Sequence, residues 1–258
     1  MFNGRIFVCG DIHGDANVVT SIVNSIENPQ ADDIIIIAGD AGFEYGNYIM
    51  GRAKRAAKKF PGRWIVMRGN HDNCYWKDHI FVENDSFKVE NGWNIIGGED
   101  QFIYQNKYPN IWYVHDNGGI YTIGDWNFLF LPGAYSIDKD YRLRMGYPYN
   151  PKEQLDTFTM NECYDMVLNW NKMGFPIDYV IGHTFPLKLE YTYRDRFISF
   201  IDQSTVDKRT EQWLDNMSNL FEKNPDFKMY YGGHFHYEKK LTDKYTMVYQ
   251  SPLEIGEN

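Results

Sequence analysis

Apolar and polar positions in the first third of the chain alternate between buried-strand and helical patterns. Segment 33–38 contains four consecutive isoleucines, which is typical of a strand buried on both faces. Segment 17–27 has apolar residues spaced three and four positions apart, which predicts a helix. Strand patterns also cover 2–9 and 63–68, and a second helical pattern covers 48–60. This alternation of strands and helices predicts an α/β protein with a parallel sheet.

The rest of the chain contains shorter strand patterns and two longer helical patterns. The helices are predicted over 151–172 and 206–223. The strands are predicted over 93–96, 112–114, 120–123, 127–131, 178–181, 227–231 and 246–250. Because no repeat, low-complexity tract or linker interrupts the chain, we expect one domain over residues 1–258.

Polar side chains that bind metals follow several of these strands, each beside a glycine. They are Asp11, His13, Asp40, Asn70, His183, His234 and His236. Ligands in such sheets gather at the carboxyl ends of the strands, so we expect these side chains to converge. Carboxylate and imidazole donors suit first-row divalent ions such as manganese, iron and zinc. A single histidine after a strand is more often structural than a ligand. Here, however, possible ligands follow five strands, and this recurrence predicts a metal centre.

In order and composition, five motifs resemble those of the calcineurin-like metallophosphoesterase superfamily, in particular its small bacterial and phage-type members. They are Gly10-Asp11-Ile12-His13-Gly14, Gly39-Asp40, Gly69-Asn70-His71-Asp72, Gly182-His183 and Gly233-His234-Phe235-His236. The resemblance implies a four-layer α/β/β/α sandwich, in which helices flank two mixed sheets. It also implies a phosphoesterase that uses two divalent metal ions. Manganese is the expected metal, with iron, zinc or nickel as alternatives.

The resemblance assigns the metal ligands residue by residue. One metal would be held by Asp11, His13 and His236. The other would be held by Asn70, His183 and His234, with Asp40 bridging both. A bridging carboxylate lowers the repulsion between two dications, and together they lower the pKa of a bridging water, which yields a hydroxide nucleophile.

Two further residues follow Asn70 in the same motif. By resemblance, His71 is the general acid that protonates the leaving oxygen. Asp72 is expected to orient His71 and raise its pKa, as a neighbouring carboxylate does. The alternative is that Asp72 caps the following segment.

Two arginines, Arg142 and Arg144, lie in a stretch similar to one in small members of the superfamily. Either guanidinium can bind a substrate phosphate through two hydrogen bonds. A solvated or ion-paired loop is the alternative. Arg68 before Gly69 matches the protein-phosphatase branch, whereas segment 39–44 lacks the arginine of that branch. A serine or threonine phosphoprotein therefore stays among the candidate substrates.

The charge balance of the chain limits its partners. With 26 basic and 35 acidic residues, the net charge is -9, which argues against bulk binding of nucleic acid or an anionic membrane. The three cysteines have no paired spacing, and neither a signal peptide nor a membrane span is indicated, so we expect a cytoplasmic protein.

We predict hydrolysis of phosphomonoesters on a small molecule, a nucleotide or a protein. A phosphodiesterase or nuclease acting on nucleotides is the alternative, since the same centre can cleave diesters. A non-catalytic metal-binding scaffold is a third hypothesis, and the complete set of ligands opposes it.

Overall fold

A computed structural model of the chain describes residues 2–44, 50–83, 86–97, 102–147, 149–193 and 203–256. The strands are β1 (Ile6–Cys9), β2 (Ile34–Ala38), β3 (Arg63–Met67), β4 (Ile80–Glu83), β5 (Ser86–Val89), β6 (Trp93–Ile96), β7 (Phe102–Gln105), β8 (Ile111–Tyr113), β9 (Gly119–Ile123), β10 (Trp126–Leu131), β11 (Tyr179–Gly182), β12 (Met229–Gly232), β13 (Lys239–Thr242), β14 (Tyr245–Met247) and β15 (Leu253–Glu254). The helices are α1 (Ala16–Ser25), α2 (Met50–Ala57), α3 (Tyr75–His79), α4 (Lys139–Met145), α5 (Thr157–Lys172) and α6 (Arg209–Phe221), with short 3₁₀ turns at Leu187–Thr192 and Gln203–Thr205.

The first sheet is built around the early strands. Its order is β15-β1-β2-β3-β8-β7-β6, and β1, β2, β3 and β8 run parallel. Ile36 in the centre of β2 pairs with Val8 on one side and Ile65 on the other. All five residues of β2 are buried, so the prediction of a strand buried on both faces is confirmed.

The second sheet is built from the later strands. Its order is β13-β14-β12-β11-β10-β9, with β10, β11, β12 and β14 parallel and the two edge strands antiparallel. Both sheets therefore carry a parallel centre with antiparallel edges. The parallel centres explain the nearly continuous apolar runs in β2 and β10.

Two outer layers of helices cover the paired sheets. Alternate side chains of β1, β2 and β3 meet side chains of β10, β11 and β12 in a central core that includes Val8, Ile36, Phe130 and Ile181. On the far side of the first sheet, α1 and α2 pack through residues such as Ile22. The far side of the second sheet is covered by α5 and α6. The predicted arrangement of two mixed sheets flanked by helices is confirmed.

The helix predicted over 151–172 begins later, at Thr157. The carboxylate of Asp156 accepts a hydrogen bond from the backbone N–H of Thr159 at 2.8 Å, which fixes the start of α5. The helix predicted over 48–60 is described from Met50 to Ala57, and residues 48 and 49 lie outside the described residues. Helix boundaries depend on such capping contacts more than on apolar spacing.

The last strand predicted over 246–250 is wrong in its extent. β14 ends at Met247, and the chain then crosses from the second sheet to the first. Val248 N–H still donates to Gly232, but Tyr249 carbonyl oxygen accepts from Gly10 at 2.7 Å. The short strand β15 then pairs antiparallel with β1. Among the described residues, no helix is long and apolar enough to cross a membrane.

Candidate metal centre

Five parallel strands from the two sheets deliver the predicted ligands. β1, β2 and β3 end shortly before Asp11, Asp40 and Asn70. β11 and β12 end shortly before His183 and His234. Because the two sheets pack face to face, these ends lie together at one edge of the sandwich, as the hydrogen bonds between the two sets of residues show.

The backbone of the centre is held in an unusual conformation. Among the described residues, six non-glycine residues have positive φ, and five of these are predicted ligands: Asp11 (53°), His13 (50°), Asp40 (53°), His234 (76°) and His236 (50°). A non-glycine residue with positive φ costs about 1–3 kcal/mol of folding free energy, and residues strained in this way cluster at functional sites. The left-handed turns aim these side chains into a shared space directly after their strands.

Glycines beside the ligands leave room for the imidazole and carboxylate groups. A methyl group added to Gly39 would lie 2.1 Å from His183 Nδ1, and one added to Gly69 would lie 2.1 Å from Asp40 Oδ1. Neither distance is compatible with a real side chain. The glycines in these motifs are therefore required by close packing around the ligands.

One group of donors consists of Asp11, His13 and His236, whose ligand atoms all lie within 4.8 Å of one another. The Nε2 atoms of the two histidines are 3.0 Å apart, and His236 Nε2 is 3.6 Å from Asp11 Oδ1. Asp11 is fully buried, and its carboxylate accepts a hydrogen bond from the backbone N–H of His234. These are the three residues that the sequence assigns to one metal.

A second group of donors surrounds the side-chain oxygen of Asn70. Asn70 Oδ1 lies 2.7 Å from His183 Nε2 and 3.1 Å from His234 Nδ1. Asp40 Oδ2 is 3.4 Å from His183 Nε2 and 3.9 Å from His13 Nε2. Asp40 therefore lies between the two groups, where a bridging carboxylate is expected.

Hydrogen bonds from outside the ligand set orient two of the donors. His183 Nδ1 lies 2.8 Å from the carbonyl oxygen of Ala38, which accepts its proton and leaves Nε2 available to a metal. The amide nitrogen of Asn70 donates to Ser136 Oγ at 2.8 Å, which directs Oδ1 towards the histidines. The sequence did not predict these roles of Ala38 and Ser136, because residues far apart along the chain make the contacts.

The electrostatics of the centre fit divalent cations. Asp11 and Asp40 are both buried, with ligand atoms within 4.8 Å of each other and of His183. Burial raises the pKa of Asp11, whereas for Asp40 the same effect of burial is outweighed by the neighbouring histidines, which lower its pKa. Burial lowers the pKa of His234 and of His236, which favours the neutral imidazole, in which one ring nitrogen has a lone pair for a metal. For His183 the effect of burial is outweighed by the negative charge of Asp40 and Asp11, which raises its pKa to about 9. Two close, buried carboxylates that attract positive charge in this way, together with imidazoles, are a suitable ligand set for divalent ions.

His71 lies beside this ligand set. Its backbone N–H donates to Asp40 Oδ1 at 2.8 Å, and its ring meets that of His13 edge-on at 5.2 Å. Burial lowers the pKa of His71, and the positive charge of Arg142 adds to this effect. The carboxylate of Asp138 lies beside the ring of His71, with Asp138 Oδ1 3.9 Å from His71 Nε2.

Asp72 has partners other than the one predicted for it. Its carboxylate oxygens accept hydrogen bonds from the backbone N–H groups of Ala41, Gly42 and Gly69, at 3.2, 2.8 and 2.9 Å. The buried carboxylate thus ties together the loops that carry Asp40 and Asn70. The hydrogen bonds of Asp72 go to main-chain donors, so the role predicted for it at His71 stays a prediction.

The two predicted substrate arginines have different surroundings on α4. Arg142 is 7% exposed, and its positive charge is close enough to His71 to lower the pKa of that histidine. Arg144 is exposed, and its Nε donates to the backbone oxygen of Asp140 one turn earlier. Residues two positions apart on a helix point in different directions, so only one of the pair is directed towards the centre.

A family model described as "Calcineurin-like phosphoesterase" matches residues 4–238. The chain belongs to this family. It is a metal-dependent phosphoesterase, as the convergence of Asp and His side chains into metal-ligand groups supports. No curated protein has a sequence that matches this chain significantly.

Several solved structures resemble the chain at low sequence identity. The phosphopantetheinyl hydrolase PptH from Mycobacterium tuberculosis is 12% identical over 96% of this chain and 91% of its own, with a TM-score of 0.45. The protein TT1561 of Thermus thermophilus is 10% identical over 96% of this chain and 90% of its own, with a TM-score of 0.48. The Thermus thermophilus sulfate thiohydrolase SoxB is 11% identical over 94% of this chain but 38% of its own, with a TM-score of 0.34.

Proposed function

We propose that the protein hydrolyses phosphomonoesters at a pair of divalent metal ions. The observation that supports this proposal is the position of Asp40, which is buried between two groups of nitrogen and oxygen donors. A single buried metal site would not need a carboxylate within reach of histidines from both groups. Loss of these donors would be expected in a non-catalytic scaffold, and here all seven predicted ligands converge.

The proposed ligand sets follow the two groups of donors. Asp11, His13 and His236 hold one ion, and Asn70, His183 and His234 hold the other, with Asp40 shared. When bound, such ions polarise the phosphate oxygens and lower the pKa of an attacking water. We propose manganese as the native metal and keep iron, zinc and nickel as alternatives, because the mixed carboxylate and imidazole set accepts all of them.

His71 is the proposed general acid for the leaving oxygen. It borders the ligand set through its hydrogen bond to Asp40, and its ring remains partly exposed, so a substrate oxygen can reach it. Besides Asp72, Asp138 is proposed to position the ring. Among the described residues, the buried Oδ1 of Asp138 has no hydrogen-bond partner, which leaves it available to accept a hydrogen bond from a ring N–H of His71 when the two approach.

A phosphomonoester carries up to two negative charges on its phosphate, one more than a diester. Arg142 adds a buried positive charge beside His71, and this favours the monoester. The proposed substrates are phosphorylated small molecules, nucleotides or phosphoproteins. A cytoplasmic location is also proposed, supported by three free cysteines, Cys9, Cys74 and Cys163.

The decisive comparison is between p-nitrophenyl phosphate and bis-p-nitrophenyl phosphate, with added manganese. We expect faster hydrolysis of the monoester, and loss of both activities in an Asp40→Asn variant. Substantially faster cleavage of the diester would contradict the proposal and favour a phosphodiesterase or nuclease. Absence of bound transition metal together with absence of activity would favour a scaffold.

A further inference from the structure

The wall of one cavity includes Arg68 and Cys74, which flank the motif 69–72, but none of the proposed metal ligands. The volume of this cavity is about 770 Å³, within the range of sites that bind small organic molecules. The wall includes α3 residues, the start of β9 on the edge of the second sheet, and the segment 151–156 before α5. The cavity thus lies where elements of both halves of the sandwich meet.

Basic side chains are concentrated around this cavity. Lys77 on α3 and Lys152 both line it, and the nearby ammonium of Lys152 lowers the pKa of Lys77. Within the described part of the chain, neither ammonium forms a salt bridge with a carboxylate. Both side chains are exposed, and an anion bound between the two ammonium groups would reduce the repulsion between them.

A buried arginine adds a third positive charge to the wall. Arg68 is 3% exposed and donates to the carbonyl oxygens of Asp116 and Lys152, at 2.8 and 2.9 Å. Its guanidinium is therefore held by main-chain oxygens, and it is close enough to the carboxylate of Asp116 to interact with it electrostatically. These hydrogen bonds place the charge of Arg68 next to the segment that carries Lys152.

The acidic groups of the wall are already engaged. Asp116 accepts hydrogen bonds from the backbone N–H groups of Trp76 and Lys77, at 3.2 and 2.8 Å. Asp156 accepts the capping hydrogen bond of α5 described above. A fourth basic residue, Arg209, is paired with Asp207 at 3.3 Å. The four basic residues of the lining outnumber its two acidic residues, and the two lysines are exposed to the solution, where they can attract an anion.

Apolar side chains complete the cavity. Ile80, Ile120 and Met166 line it while remaining partly exposed. The ring of His115 lies against that of Trp76, with 4.9 Å between the ring centres. A ligand that carries only charge, such as inorganic phosphate, would leave this apolar surface in water, so an organic ligand is favoured.

We propose that this cavity is a second binding site, for a small organic anion. Its phosphate or carboxylate group lies between the ammonium groups of Lys77 and Lys152, and its apolar body contacts Ile80, Ile120 and Met166. The site does not depend on the identity of the reaction at the metal centre.

The test is calorimetric titration of the full-length protein, with and without manganese, using three probes. Phenylphosphonate and benzoate share an apolar ring and carry different anionic groups, and benzyl alcohol is their neutral counterpart. We expect at least one anion to bind in the absence of manganese, about tenfold more tightly than benzyl alcohol. Which of the two binds more tightly distinguishes a phosphate ligand from a carboxylate ligand.

The variant Lys77→Met/Lys152→Met should weaken anion binding by about tenfold or more. The matched control is Lys58→Met/Lys59→Met, which removes two exposed lysines near the end of α2. Both variants should keep the manganese-dependent activity of the unmodified protein. Equal anion affinity in the cavity variant, or no anion binding at millimolar concentrations, would overturn the proposal.

A second measurement locates the bound probe. The imidazole signal of His115 in a proton NMR spectrum, assigned with a His115→Gln variant, should shift as the anion is added. The shift should be lost in Lys77→Met/Lys152→Met. Shifts confined to the histidines of the metal centre would place the probe there and overturn the proposal.

Discussion

Asn70 donates a hydrogen bond to Ser136 Oγ at 2.8 Å, and its carbonyl oxygen lies 2.7 Å from His183 Nε2. An asparagine amide has one accepting and one donating end. The hydroxyl of Ser136 donates to the carboxylate of Glu153, so it accepts from the donating end of Asn70 and leaves the amide oxygen facing the histidines. A residue outside the predicted ligand set thereby controls one of the ligands.

Removal of this hydroxyl should weaken metal binding. We expect Ser136→Ala to lower manganese affinity about 10–100-fold while the protein stays folded, because the amide of Asn70 is no longer held. Calorimetric titration with manganese measures the effect. Ser25→Ala, which removes the hydroxyl of an α1 residue remote from the centre, is the control. Unchanged affinity in Ser136→Ala would show that other contacts orient the amide.

The role of His71 is best tested with substrates of different leaving groups. We expect His71→Asn to retain its metals and to lose about 10²–10⁴-fold in kcat with an alkyl phosphate, whose leaving oxygen needs a proton. The loss should be smaller with p-nitrophenyl phosphate, since p-nitrophenolate leaves without help. His79→Asn, which changes a histidine paired with Glu90 outside the centre, should be nearly neutral. Equal losses with both substrates would remove His71 from the acid role.

Asp138 and Asp140 form a matched pair of acidic residues two positions apart. We expect Asp138→Asn to lower kcat with an alkyl phosphate by about tenfold and to leave KM nearly unchanged, because Asp138 acts through His71. Asp138→Glu should restore part of the loss. Asp140→Asn serves as control, since Asp140 lies on the first turn of α4. An effect of Asp138→Asn on KM alone would indicate substrate binding instead.

The variants Arg142→Ala and Arg144→Ala test which arginine of α4 binds the substrate phosphate. Arg142→Ala should raise KM for a phosphomonoester about tenfold or more, because a buried guanidinium next to His71 is lost. Arg144→Ala should have little effect, because that side chain is exposed and bonded to its own helix. Steady-state kinetics measure both. Similar changes in the two variants would mean that α4 contributes general positive charge only.

Glu211 gives the protein a pH-dependent stability. It lies on α6, its Oε1 accepts from Thr184 Oγ1 at 3.0 Å, and burial raises its pKa from 4.5 to about 7. The unfolded chain releases this proton at lower pH than the folded protein does. The folded state therefore holds more protons between these two pKa values, and stability falls as pH rises from about 4.5 to about 7.

The variant Glu211→Gln keeps a neutral side chain at every pH. We expect it to exceed the unmodified protein in free energy of unfolding by about 1–3 kcal/mol near pH 8, and to differ little near pH 5. Urea unfolding at both pH values measures the difference. Glu162→Gln, an exposed change on α5, should show no such dependence. A constant difference between the two pH values would exclude ionisation of Glu211 as the cause.

Local patterns were sufficient for much of the fold. The four isoleucines of β2 and the glycine-flanked motifs after β1, β2 and β3 predicted buried parallel strands whose ends meet. Both patterns depend on residues that are close together in the sequence, so they can be recognised without the tertiary structure. The short elements α3, α4, β4, β5, β7, β13 and β15 were missed, because segments of two to seven residues carry little periodic signal.

The sequence by itself determined which side chains can bind metal and which strands carry them, since both follow from residue type and from the neighbouring apolar run. Only the tertiary structure decided which atoms meet. It placed Ser136 against Asn70, took up Asp72 in main-chain hydrogen bonds, brought Asp138 to His71 and turned Arg144 away. These contacts join residues distant in sequence or depend on helix orientation, so no local pattern records them.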